Sequence, residues 1–139
     1  MLGWIDSKPG TVDEMRAKLW FAPRKPGANW SALNKKRVER LIALERMREA
    51  GLRVVSAAKL SGTWDALNAV EALEIPADLA LAFASYNRAA SYFDAFPRFT
   101  KRAILEWIAA AKTSDTRAKR VEETARLAQD NIRANQWKK

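Results

Sequence analysis

The chain has 139 residues, 48% of them hydrophobic, with only five glycines and five prolines, a composition that excludes disordered and collagen-like classes and suits one globular domain. It contains no cysteine and no histidine, which excludes disulfides, thiolate nucleophiles and thiolate metal sites and removes the commonest metal ligand and general base. The net charge of +9 is uneven: 13 cations stand against 6 anions over 1–62, 1 against 5 over 63–97 and 11 against 5 over 98–139, so that two basic segments flank an acidic one.

Along the chain, "GWID" and "KLWFAPR" carry strand-favouring aromatics without helical periodicity, and the spacing predicts a β-hairpin or two short strands over 3–24, joined through "SKPGTVDEMRA". "APRKPGANW" reads as a loop that delivers Ser31 as an N-cap. From there Val38, Leu41, Ile42 and Glu45 recur at helical spacing, with Lys35, Lys36, Arg37 and Arg40 crowding the first half. A second helix is predicted over 48–60, because Gly51 opposes one unbroken helix and Ser61-Gly62 stops it. "TWDALNAVEALEIP" reads as a connection with one helical turn, and Pro76 suits the first position of the next helix.

Helices follow at 77–85 and 88–95, and Pro97 closes that region. Thr100 is expected to cap a helix over 101–112 whose buried stripe is Ile104, Trp107, Ile108 and Ala111. Thr113 caps a last helix with Asp115 in its first turn, and Ala118, Val121, Ala125, Ala128 and Ile132 form a seam of mostly small residues. The fold class is therefore mainly α (α+β), about five to six helices with a short N-terminal β-hairpin. We expect a single domain over 1–139, with 1–30 the hairpin and loop and 31–139 the helical part.

Five blocks, "GWIDS", "PRKPGANWSALNKKRVERLI", "GTWDAL", "IPADL" and above all "RAILEWIAAAKTSDTRAKRVEETARLAQDN", resemble the bacteriocin-protection family, also called YdeI or OmpD-associated (OmdA). The positions that carry the resemblance include Gly3, Trp4, Asp6, Pro23, Arg24, Trp30, Asn34, Trp64, Trp107 and Ile108, with the pattern WIxxAKxxxTRxxR as its most specific part. The resemblance implies a further segment upstream of "GWIDS" that this chain begins without, and a proline early in the last helix where Ser114 stands. It also implies protection against bacteriocins or cationic antimicrobial peptides, with no established chemistry. A chain of net +9 repels a cationic peptide, so protection is expected to act through an anionic partner: an acidic protein, a phosphate-bearing ligand or nucleic acid.

Two readings of the turn at 112–120 stay open. Lys112, Thr113, Thr116, Arg117, Lys119 and Arg120 either hold a phosphate or carboxylate at the start of the last helix, or brace the last two helices by bonding to Glu106 or to the carbonyls that end the preceding one. Residues 31–60 superficially resemble a helix-turn-helix, which makes a nucleic-acid-binding module the rival function. Trp4, Trp20, Trp30 and Trp64 are expected in the core rather than stacked on bases. The acid pairs Asp13-Glu14 and Glu122-Glu123 are neighbours in sequence and point apart, so no catalytic residue, metal or cofactor is expected; an enzyme needing an unseen partner is the weaker alternative. No apolar h-region precedes a cleavage site, and the expected compartment is the cytoplasm. Begun without the upstream segment that the resemblance implies, the hairpin would instead leave Trp4, Ile5, Trp20 and Phe21 as an exposed apolar patch, which predicts a homodimer formed through it.

Overall fold

The two aromatic runs pair as an antiparallel hairpin in this computed structural model, which describes residues 4–136 and, of 5–8, only the backbone. Gly3 lies outside the described residues, as do the side chains of Ile5 and Asp6. Strand β1 (Trp4–Asp13) runs straight through most of the stretch expected as a connection, and β2 (Arg16–Pro23) returns. Register shifts lie between Asp6 and Pro9 and between Thr11 and Asp13, while Pro9, Gly10 and Thr11 pair in regular register with Leu19, Lys18 and Ala17. The turn is therefore tight: the Asp13 carboxylate accepts from the Met15 backbone at 3.1 Å and from Arg16 Nε at 2.7 Å. Contrary to expectation Trp4 and Trp20 are not core residues, being 47% and 61% exposed, because they stand on a ribbon of two strands to which no third strand pairs among the described residues.

Two compact units divide the chain, Met1–Asn68 and Ala69–Lys139. In the first, Ser31 stands in extended backbone and its hydroxyl accepts from the Asn34 N–H, starting α1 (Ala32–Ala43) as the sequence predicts. Helix α2 (Glu49–Leu60) follows with Arg48 as its N-cap, within a residue of the predicted 48–60, so the break falls before Gly51 as expected. Glu45 makes that break: it adopts left-handed backbone (φ 56°), its N–H donates to Ile42, and the next N–H, of Arg46, donates to Leu41. That pair of bonds is a Schellman ending. Beyond α2 the left-handed Gly62 (φ 76°) ends the helix where expected. Trp30, Val38, Val55, Ala58 and Trp64 form the buried cluster, with Met47 and Val54 against it. The stripe read from the sequence is weaker than that: Val38 is buried, whereas Ile42 is 43% exposed and Glu45 lies beyond the helix.

Helix α3 (Asn68–Ala72) is the single helical turn foreseen in the connection, and it brings the helices among the described residues to seven. In the second unit α4 (Ala77–Ala84), α5 (Ala89–Ala95), α6 (Arg98–Ala109) and α7 (Ser114–Ala128) pack together, α7 touching each of the other three. Pro76 is the N-cap of α4 rather than its first residue. Pro97 caps α6, so the helix starts earlier than predicted and Thr100 is buried inside it instead of capping.

Leu79, Phe93, Ile104, Leu105 and Ile108 are almost wholly buried, each worth about 1.5–3 kcal/mol relative to exposure. Leu105 joins the α6 stripe, while Trp107 and Ala111 are only half-buried, Ala111 lying beyond the helix, which ends at Ala109. On α7 the buried seam is Val121, Thr124, Ala125 and Ala128; Ala118 and Ile132 are exposed, the latter beyond the helix end. Thr124 enters an apolar seam because its hydroxyl donates to the Arg120 carbonyl at 2.7 Å. No helix among the described residues is long and apolar enough to cross a membrane.

Candidate functional site

Cations and indoles are built together in the first unit. Trp30 and Trp64 pack with ring centroids 5.0 Å apart, and the Arg24 guanidinium lies 3.8 Å above the Trp30 ring. Arg24 reaches that place from the end of β2, after Pro23, with Nη1 donating to the Asn29 carbonyl at 3.0 Å, and its burial pushes the guanidinium below its ordinary value. Lys35 and Lys59 approach the other indole, at 5.5 and 5.2 Å from the Trp64 ring. Lys35 is further held by Asn68 at 2.6 Å and Asp65 at 3.1 Å, and the Asp65 carboxyl is lowered, chiefly by its bond from Lys35. Asn34 sits half-buried in the first turn of α1.

Past Lys35, the exposed face of α1 presents Lys36, Arg37 and Arg40, none of which forms an ion pair among the described residues. The Schellman turn folds Arg46 back onto the same surface, where Arg37, Arg40, Leu41, Leu44 and Arg46 line a concavity of about 240 Å³. This arginine-lined groove was readable in the sequence only as a basic run. Its closure depends on the left-handed Glu45, which no glycine or asparagine announces.

In the second unit the structure brings the six residues of the 112–120 cluster to the α6–α7 connection and gives four of them internal partners. The Thr113 hydroxyl accepts from the Thr116 N–H at 3.2 Å and donates to the Thr116 hydroxyl at 2.8 Å. Arg117 forms a two-pronged bond to Asp78 at the start of α4, a partner the sequence did not single out. Arg120 donates to the Trp107 carbonyl near the end of α6 and lies 4.9 Å from the Trp107 ring, the carbonyl brace that the sequence admitted. Glu106 is not Arg117's partner; it pairs with Arg102 at 2.9 Å, as does Glu71 at 3.1 Å. Lys112 and Lys119 are exposed, and Lys112 stands beyond the end of α6 at Ala109.

Of the adjacent acids, Asp13 is held by Arg16 and Glu122 accepts from the Tyr86 hydroxyl, an interaction that raises the phenol above its ordinary value. Among the described residues no group of three or more acids is placed to hold a metal ion.

Residues 72–131 match the family model described as bacteriocin-protection, YdeI or OmpD-associated (OmdA). Residues 1–54 match a second model, described as a domain of unknown function. No curated protein and no solved structure matches the chain. Trp107, Ile108 and the cluster at 112–120 fall in the first match; Gly3, Trp4, Asp6, Pro23, Arg24, Trp30 and Asn34 fall in the second, and Trp64 in neither.

Proposed function

From the place of residues 72–131 in the bacteriocin-protection, YdeI or OmpD-associated family, we propose a stress-protection protein that works in the cytoplasm by binding and not by catalysis. Its partner is anionic, and the contact is the arginine-lined groove at the end of α1. The observation that carries this reading is the groove itself: three arginines border one concavity, while Arg37, Arg40 and the adjacent Lys36 make no ion pair among the described residues. A guanidinium in that state is set to take a phosphate or carboxylate through paired N–H donors. The 112–120 cluster supports such binding less, because its two arginines already hold Asp78 and the Trp107 carbonyl; it offers Lys112 and Lys119 to a partner.

Against a sequence-reading nucleic-acid module, α2 offers few base-contacting groups. Leu52, Ser56, Ala57 and Leu60 are exposed on it, Lys59 lies at its last turn 5.2 Å from the Trp64 ring, and Arg53 pairs with Glu49 at 2.6 Å. The reading is tested by titrating the protein with inorganic polyphosphate and with DNA of two unrelated sequences over a range of salt. Binding without sequence preference is expected, with a log–log salt slope that falls by about two when Arg37 and Arg40 are both changed to Ala. Absence of polyanion binding at low salt, or an unchanged slope in the double variant, would sink it.

A further inference from the structure

A second concavity in the first unit carries an unmet chemical demand. It holds about 250 Å³ between the loop after β2 and helix α2, with Arg24, Trp30, Val54, Ala57, Ala58 and Thr63 among its walls. Trp30 is 3% exposed, and its indole Nε1–H finds no acceptor among the described residues; Arg24 Nε–H, also buried, finds none among them either. Leaving a buried donor without an acceptor costs about 1–3 kcal/mol, more for a charged group, and native proteins keep such groups few. Two of them on residues stacked at 3.8 Å, lining one cavity, is a coincidence that a bound acceptor removes.

We propose that this cavity is a binding site for a small organic carboxylate. Both unmet groups are donors and one is cationic, so the ligand supplies acceptor oxygens and negative charge. Val54, Ala57 and Ala58 give the opposite wall an apolar surface, which fits a short hydrocarbon or aromatic body and disfavours a bare phosphate. At about 250 Å³ the concavity lies below the roughly 300–1,000 Å³ of drug-sized pockets, which favours a small ligand. The site shares no residue with the α1 groove and is independent of the partner proposed there.

The probe is the Trp30 indole N–H resonance of the full chain, assigned through Trp30→Phe, followed while benzoate, hexanoate, benzamide and inorganic phosphate are added separately. A saturable downfield shift with the two carboxylates, and none with benzamide or phosphate, is expected. Arg24→Lys removes the planar fork and should weaken binding about tenfold. Ala57→Phe, at an exposed position that lines the cavity, should abolish the shift while leaving the melting temperature within a degree or two of wild type. The proposal is overturned by no shift with either carboxylate, by an equal response to benzamide or to phosphate, or by a response that Ala57→Phe leaves intact.

Discussion

Arg117 forks onto Asp78 across 39 positions of sequence, with Nε donating to Oδ2 at 2.6 Å and Nη2 to Oδ1 at 3.0 Å, and so ties the first turn of α7 to the first turn of α4. Both side chains are more than a third exposed, at 36% and 42%, so solvent screens the pair and Arg117→Ala should cost about 1 kcal/mol or less. The bond from Arg117 holds the Asp78 carboxyl below its ordinary value. A carboxyl lowered on folding stabilises fully above its unfolded value of about 3.9 and loses that contribution as pH falls through the lower folded value. Thermal melts of wild type and Arg117→Ala should differ at pH 7 and converge in acid below the ordinary carboxylate range; a gap that persists there would refute the pairing.

Arg120 does more with less solvent around it. Its guanidinium is half-buried, donates to the Trp107 carbonyl that α6 leaves without a helical partner, and stacks near the Trp107 ring. A charged donor to such a carbonyl is worth about 1.5–3 kcal/mol, so Arg120→Ala should destabilise more than Arg117→Ala. Phosphate titrations of the two variants should match wild type. Loss of phosphate affinity with an unchanged melting temperature would make the cluster an anion site after all.

The contrast between these arginines and the α1 groove explains what the sequence could and could not reveal. Helix starts at Ser31 and Thr113 were legible because a hydroxyl before an apolar run has a local job, and the structure shows both accepting the expected N–H. The end of α1 at Glu45 was not, since left-handed backbone at a glutamate is a tertiary outcome with no residue-type signal. The 112–120 cluster was legible as charge but ambiguous as chemistry: whether Arg117 meets solvent or Asp78 depends on how α4 packs against α7. The Arg24–Trp30 stack lies within one quoted block, yet its unmet donors appear only once Thr63 and α2 close the cavity around it.

That left-handed glutamate gives a stabilising prediction. Glu45 at φ 56° bears the Cβ strain that glycine escapes, roughly 1–2 kcal/mol, against about 0.5–1 kcal/mol of added unfolded-chain entropy for glycine. Glu45→Gly should therefore raise stability by up to about 1 kcal/mol, read as a higher denaturant midpoint with an unchanged slope. It should also strengthen polyanion binding slightly, because an acid leaves the neighbourhood of Arg46. A lowered midpoint would show that the Schellman turn is not what ends α1.

The last prediction concerns the hairpin. Cross-strand partners share a face, so the register Trp4 with Pro23 and Pro9 with Leu19 places Trp4, Leu19 and Phe21 on one side of the ribbon. Those three are 47%, 46% and 56% exposed, and among the described residues no third strand pairs with either edge. Edge-to-edge growth is opposed by Pro9 within β1 and by Lys18 and Arg16 on β2, so association is expected face to face, over the apolar side. An isolated two-stranded ribbon is marginal in water, and a second copy laid on that face would bury the stripe that leaves it so. Its area is small beside the roughly 1,200–2,000 Å² of a firm interface, which makes the dimer weak and concentration-dependent. Sedimentation over a hundredfold range of protein should show the average mass rising with concentration, and Leu19→Ser with Phe21→Ser should return it to that of a monomer without unfolding the helices. A wild-type mass that stays monomeric throughout would exclude the hairpin as a self-association surface.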